Sequence, residues 1–322
     1  MSSNFVHIME VGPRDGLQIE DKVLSVGERV ALINSLADAG LREIEVGSFV
    51  NYDRVPQMAD TDKVLDQLDL DEEVRLRALW FGRKGLEEAL GHKNLHVEGG
   101  ISLAASDTFS KKNLGRTSDE ILAGIDRAVA SMDGLGVKCE RLGIMAAFGC
   151  NFEGEVPLDR VLKLIDNAIE KLAGLGAQVK NLTVADTMGW ATPAQVKKMA
   201  DALKTRLPDV EIKLHFHDTR GMGIANCVAA IETDIRKFDA SIGGLGGCPF
   251  GGVKGAAGNV CTEELVFLCD RWGLETGIDL GKLLASASLA EKLVERTLPS
   301  KLKTGGLLPS KQSNQGRESN AE

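Results

Sequence analysis

Along this chain, short runs of aliphatic and β-branched residues alternate with longer stretches whose apolar positions recur at helical spacing. A run of five to seven such residues bounded by glycine or proline reads as a buried strand, and apolar positions three and four apart read as a helix face. On these criteria strands are predicted over 5–11, 42–46, 74–80, 95–103, 138–148, 179–185, 211–216 and 238–242. Helices are predicted over 26–39, 57–68, 84–90, 118–135, 158–175, 193–206, 223–233 and 262–272, several of them stopped by a glycine such as Gly40, Gly136 or Gly176. Strands alternating with helices pair in parallel through right-handed crossovers. Eight β–α units in one pass predict an α/β protein, a closed (β/α)8 TIM barrel, in preference to an open doubly wound sheet. No Gly-x-Gly-x-x-Gly follows the first strand, which argues against a dinucleotide fold.

Residues 279–298 are predicted to add C-terminal helices to the barrel, so that one domain spans 1–302. Residues 303–322, which end in a polar run, are expected to be a disordered tail.

Composition narrows the class of function. With 322 residues, 43% hydrophobic content and mean hydropathy −0.06, the chain reads as an ordinary globular protein. A net charge of −9 without a basic stripe argues against nucleic acid as a partner. No window is long and apolar enough for a membrane span, and no leader is evident before the first apolar run. Six scattered cysteines without a Cys-x-x-Cys pair suit reduced thiols, so a cytoplasmic location is expected.

The candidate chemistry lies where the predicted strands end, because TIM barrels carry their active sites at that face. The seventh strand ends in His215-Phe216-His217-Asp218, and residues two apart on a strand share a face. Two imidazoles aimed the same way can form half of a metal site, or line a polar cavity as hydrogen-bonded histidines. Asp15, after the first strand, offers a hard carboxylate, and Asn259 an amide oxygen. Locally, Asp15 also suits a Pro-Arg-Asp-Gly turn and Asn259 a helix N-cap. A mixed oxygen and nitrogen donor set without thiolate favours Mg²⁺ or Mn²⁺ over Zn²⁺. Other charged or polar residues at strand ends are Arg14, Glu45, Ser48, Asp107, Lys111, Asn113, Asp186 and Arg220. Cys248 sits in a stretch, 243–258, with eight glycines in sixteen residues, a composition suited to a mobile lid. On such a lid a thiol is a candidate proton donor or nucleophile, and the alternative, a buried small apolar thiol, fits the other five cysteines better than this one.

Taken together, the motifs Glu10-Val11-Gly12-Pro13-Arg14-Asp15-Gly16-Leu17-Gln18, Ser48-Phe49-Val50, Val55-Pro56-Gln57-Met58, Lys111-Lys112-Asn113, His215-Phe216-His217-Asp218-Thr219 and 243–249 resemble the hydroxymethylglutaryl-CoA lyases over roughly residues 6 to 300. The resemblance implies a TIM-barrel metallolyase that cleaves 3-hydroxy-3-methylglutaryl-CoA to acetyl-CoA and acetoacetate. It implies a divalent cation held by Asp15, His215, His217 and Asn259, with Arg14 stabilising an enolate and Cys248 protonating the departing carbanion. Glu45 and Asp186 would be further catalytic groups, and Glu10, Ser48, Lys111 and Asn113 substrate-binding ones. The implied partners are an acyl-CoA substrate and further copies of the chain, as a dimer or tetramer. Citramalyl-CoA and longer-chain hydroxyglutaryl-CoA are alternative substrates, and a Claisen condensing enzyme is an alternative activity. Two departures bear on the acyl group: Cys248 and Asn259 stand two positions further apart than the family pattern, and Arg220 replaces an aromatic residue.

Overall fold

The computed structural model describes residues 4–247 and 258–309. Strands β1 (His7–Glu10), β2 (Glu43–Phe49), β3 (Arg75–Trp80), β4 (Gly99–Ala104), β5 (Cys139–Met145), β6 (Asn181–Asp186), β7 (Glu211–Phe216) and β8 (Lys237–Ala240) form one parallel sheet in the order β3-β2-β1-β8-β7-β6-β5-β4. The ends of that order meet: Leu76 of β3 bridges Leu95, just ahead of β4, and His96 N–H donates to Leu76 C=O at 2.8 Å. The sheet therefore curls into a barrel, as eight β–α units predict.

The outer faces of the strands pack against helices, and the division follows the alternation of side chains along a strand. On β7, Ile212, Leu214 and Phe216 are buried outward, while Lys213 and His215 turn to the barrel axis, where they line its cavity. Helix α7 (Leu158–Gly174) shows the complementary pattern, burying Val161, Leu162, Leu164, Ile165, Ala168 and Leu172. Completely burying one such aliphatic side chain contributes roughly 1.5–3 kcal/mol, so this face alone anchors the helix.

Most predicted elements occur within a few residues of their expected bounds, and the differences have local causes. The helix expected over 118–135 is two, Ser118–Ala123 and Ile125–Asp133, because Gly124 takes a non-helical conformation (φ −108°, ψ 12°) between them. The strand expected from residue 95 begins at Gly99. A helix not predicted, α4 (Asp107–Leu114), starts where Ser106 Oγ accepts from Phe109 N–H, and it ends at Gly115, whose φ of 75° suits glycine.

The expected C-terminal helices are present as α11 (Leu280–Val294) and α12 (Lys301–Gly305). Helix α12 crosses the boundary drawn at residue 302, so the barrel domain continues into the segment expected to be a tail. Asp279 caps α11 by accepting from Lys282 N–H at 2.9 Å, and Ser286 Oγ ties it to Ser35 C=O of α1 (Val26–Asp38) at 3.1 Å. The segment after α11 reaches the barrel mouth, where Arg296 is ion-paired to Glu20 at 2.5 Å.

Candidate metal centre and active site

The loop after β1 is not extended. Arg14, Asp15 and Gly16 all direct their N–H groups to Val11 C=O, at 3.1, 2.7 and 3.2 Å, in one wide helical turn over Gly12–Gly16. Such wide turns recur at functional sites. Here the turn sets the Asp15 carboxylate beside the histidines at the end of β7. Asp15, His215 and His217 each offer a ligand atom, and these atoms lie within 4.8 Å of one another.

Asn259, on the segment that follows β8 between β1 and β7, completes the cluster. Its backbone bridges His217, and its Nδ2 donates to Asp15 Oδ2 at 2.8 Å. With the amide nitrogen so engaged, Asn259 Oδ1 is buried without a protein partner. The two imidazoles approach through Nε2 atoms 3.1 Å apart. This donor set fits a divalent cation: a carboxylate oxygen, two converging imidazole nitrogens and an amide oxygen otherwise left unsatisfied.

The electrostatics agree with that fit. Burial, reinforced by the neighbouring His215, pushes His217 down to about 3, so its ring is neutral and its lone pair is free. Burial would also lower His215, but Asp239 outweighs it and raises the group. Asp239 Oδ2 sits 3.1 Å from His215 Nδ1, while its Oδ1 is 2.8 Å from Lys213 Nζ. Burial opposes ionisation of Asp239, yet Lys213 and His215 hold its carboxyl far below the usual range. This carboxylate–imidazole pairing fixes which ring nitrogen faces the site.

Arg14 stands beside the cluster, bracketed by carboxylates. Its Nε is 2.6 Å from Glu45 Oε2 and a terminal nitrogen is 2.7 Å from Asp15 Oδ1. Gln18 Nε2 also donates to Asp15 Oδ1 at 2.9 Å. Burial works against the ionised Asp15, but Arg14 and the histidines lower it overall, so the carboxylate is charged.

Apart from the buried Asn259, these groups line a cavity of about 1570 Å³ at the C-terminal face of the barrel. Arg14, Asp15, Glu45, Ser48, Asn113, His215 and His217 face it. Besides Asn259, three expected site residues among those described do not line it. The carboxylate of Glu10 is fully buried and accepts from Gly12 N–H and Ile242 N–H, both at 2.8 Å, and from Thr262 Oγ at 2.7 Å. Burial raises it to about 7, and its visible work is to tie the loops after β1 and β8 together. Asp186 accepts from Trp190 N–H at 2.7 Å and Ala191 N–H at 3.0 Å, closing the turn after β6, and burial raises it to about 6. On α4 the residue facing the cavity is Lys112, not Lys111, since one step along a helix turns the side chain by about 100°. Cys248 lies outside the described residues. Arg220, one of the two departures, is engaged elsewhere: it donates to Met188 C=O and Gly189 C=O at 2.8 and 3.0 Å and lies over the Trp190 ring.

Comparison with known proteins follows the same outline. Residues 5–290 match the family model described as HMGL-like. The chain belongs to that family. Among its relatives, the hydroxymethylglutaryl-CoA lyase of Bacillus subtilis is 36% identical over 301 residues, covering 92% of this chain and 95% of the relative. The (R)-citramalyl-CoA lyase of Chloroflexus aurantiacus is 39% identical over 317 residues, covering 94% and 96%. An HMG-CoA lyase structure from Acinetobacter baumannii, in complex with coenzyme A and 3-methylmalate, superposes with a TM-score of 0.84 at 35% identity, covering 96% of this chain and 99% of that one. As a member of the HMG-CoA lyase family, the protein is a carbon–carbon lyase on a TIM barrel. Among the described residues, no helix is long and apolar enough to cross a membrane.

Proposed function

We propose that this lyase cleaves a CoA thioester of a 3-hydroxy-3-methyl acid by a retro-Claisen reaction, with 3-hydroxy-3-methylglutaryl-CoA as the first substrate to test. The observation that carries the reading is the convergence of Asp15, His215 and His217 within 4.8 Å, with the Arg14 guanidinium 2.7 Å from Asp15, on the wall of one large cavity. Asp15, His215, His217 and Asn259 would hold a divalent cation, Mg²⁺ or Mn²⁺ by the hardness of the donors. Bound there, such a cation supplies Lewis-acid polarisation of substrate oxygen.

The chain's own groups account for the rest. In the cleavage, the tertiary hydroxyl gives up its proton, the bond between C2 and C3 breaks, and its electron pair passes to C2. C3 becomes a ketone carbonyl, and C2 takes a proton to give acetyl-CoA and acetoacetate. Negative charge develops on the thioester oxygen while C2 is an enolate. Arg14, held by Glu45 and Asp15, is a fixed cation suited to that charge. Because its two carboxylate partners already orient it, little reorganisation is needed when the charge appears. Glu45 remains a candidate acid–base group, and Asp186 would serve catalysis by positioning, through the turn it closes behind the cavity wall. Ser48 and Asn113 face the cavity as substrate contacts. Glu10 and Lys111 would serve the substrate indirectly, Glu10 through the loops it ties and Lys111 through the helix that presents Lys112 and Asn113. Cys248 is proposed as the proton donor to C2, on the strength of its place in the glycine-rich stretch.

A second reading is favoured by the identity to the citramalyl-CoA lyase, namely the same cleavage on citramalyl-CoA with pyruvate as the keto product. A Claisen condensing enzyme would run the bond the other way. The protein is expected to act in the cytoplasm as a homo-oligomer. Metal-loaded protein assayed for acetyl-CoA release from 3-hydroxy-3-methylglutaryl-CoA and citramalyl-CoA separates these readings. Acetoacetate as co-product supports the first and pyruvate the second. Release from neither thioester, with condensation of acetyl-CoA onto a keto acid instead, would leave the condensing activity.

A further inference from the structure

The interior of a TIM barrel is usually filled by layers of bulky branched side chains. In this barrel one row across four neighbouring strands is made mostly of small residues. Ser102 of β4 pairs with Gly143 of β5, Gly143 with Thr183 of β6, and Thr183 with Lys213 of β7, a continuous row across four strands. All four line the cavity, one inward step (about 6.6 Å along the strand) below the level of His215. Three of them are small, so the space under the metal-ligand cluster continues down the barrel axis.

Nothing in the backbone demands glycine at 143. A Cβ placed there would meet only Ser102 Oγ at 3.5 Å and Ile101 C=O at 4.0 Å, which are ordinary contacts. Contrast Gly100, where a Cβ would come within 2.8 Å of Arg141 C=O. The missing side chain at 143 therefore serves the space rather than the fold.

The floor of this space carries the cation of Arg141, near the paired Arg77 and Glu98. Arg141, a further inward step down β5, lines the cavity, and among the described residues no carboxylate lies within ion-pair distance of it. Glu98, which senses its charge, is already paired with Arg77 at 2.7 Å. Lys213 uses its ammonium on Asp239, but an ammonium has three donors and Asp239 is shared with His215. Ser102 and Thr183 add hydroxyls. A guanidinium on a cavity wall, with no carboxylate at ion-pair distance among the described residues, is placed to bind an anion.

We infer that the row Ser102–Gly143–Thr183–Lys213, closed below by Arg141, is a receptor for a carboxylate at the end of an acyl arm longer than that of 3-hydroxy-3-methylglutarate. The inference rests on the thioester-lyase reading and narrows its substrate to CoA monothioesters of extended 3-hydroxy dicarboxylic acids. Arg141 binds the far carboxylate, and Gly143 leaves room for the methylenes that reach it.

The test uses the metal-loaded full chain and three thioesters: 3-hydroxy-3-methylglutaryl-CoA, 3-hydroxy-3-methylpimelyl-CoA, which has two more methylenes before its carboxylate, and 3-hydroxy-3-methylheptanoyl-CoA, which lacks the carboxylate. Wild type is expected to favour the pimelyl over the glutaryl and the heptanoyl thioester by about tenfold or more in kcat/KM. Gly143→Val should reverse the first preference by closing the throat. Arg141→Met should abolish the second by raising KM for the pimelyl thioester while leaving kcat for the glutaryl one in place. A glutaryl thioester cleaved as well as the pimelyl one, or preferences unmoved in the folded variants, overturns the inference and leaves the lyase reading standing. If Gly143→Val does not fold, the Arg141→Met arm decides alone. Acetyl-CoA from none of the three would instead count against the lyase reading itself.

Discussion

Asn259 Nδ2 donates to Asp15 Oδ2 across 2.8 Å, although 244 positions separate the two residues in the chain. This contact engages the amide nitrogen and leaves the amide oxygen buried and without a hydrogen-bond partner, beside a backbone that bridges His217. Asn259→Ala should therefore lose a ligand and also free Asp15 to turn. Metal affinity, measured by titration of the apo-protein, is expected to fall about 10- to 100-fold or more. Affinity equal to wild type would remove Asn259 from the site.

Asp239 acts one contact further out. It holds His215 Nδ1 and is itself held by Lys213. Asp239→Asn keeps the shape but weakens the acceptor that fixes the His215 tautomer. A fall in metal affinity of about 10- to 100-fold, without loss of thermal stability beyond about 2 kcal/mol, is expected. Calorimetric metal titration and thermal unfolding of the same samples check both parts.

Arg14 is placed to act mainly on charge that appears during the reaction. Arg14→Met should lower kcat by about 100-fold or more while the bound metal per chain is unchanged. Metal analysis alongside single-turnover kinetics separates the two effects. An unchanged kcat would exclude the guanidinium from the chemistry.

Much of this arrangement is legible in the sequence, and what is not has a physical reason. Barrel strands are buried on both faces by neighbours or by polar interior layers, so they stand out as short aliphatic runs, and all eight were readable. The histidine pair was visible because period two places His215 and His217 on one face. The same parity puts Lys213 on that face, and attention to it would have pointed to the polar throat. Asp239 carries no local signal, because its role depends on β7 and β8 being neighbours, a fact of topology. Helix α4 was missed because Asp107–Leu114 is mostly polar, so its cap at Ser106 was the one available sign. Glu10 and Asp186 are expected at the site from the sequence, but a carboxylate at a strand end can turn inward to backbone N–H groups, and both do.

Acid stability has a separate source at the barrel floor. Glu98 is partly buried, which opposes its ionisation, yet Arg77 and His96 lower its carboxyl from 4.5 to about 2. A carboxyl depressed in the folded state stabilises the protein above its unfolded value, and that stability is lost as pH falls from 4.5 toward 2. Its size is at most about 3 kcal/mol by linkage, less what solvent screening removes. Glu98→Gln should flatten the dependence of unfolding free energy on pH across that window and change little in its slope above it. Denaturant titrations at a series of pH values would show this, and a variant with the wild-type slope below pH 4.5 would refute the assignment.

In the proposed mechanism Asp15, His215, His217 and Asn259 hold the cation on which carbon–carbon cleavage depends. The most direct measurement is metal content and acetyl-CoA release together, for wild type and His217→Ala, after identical loading with Mn²⁺ and removal of excess. The account predicts about one bound cation per wild-type chain with release of acetyl-CoA from a 3-hydroxy-3-methyl acyl-CoA, and loss of both in the variant. A His217→Ala protein that keeps the wild-type metal content and the wild-type rate would contradict it.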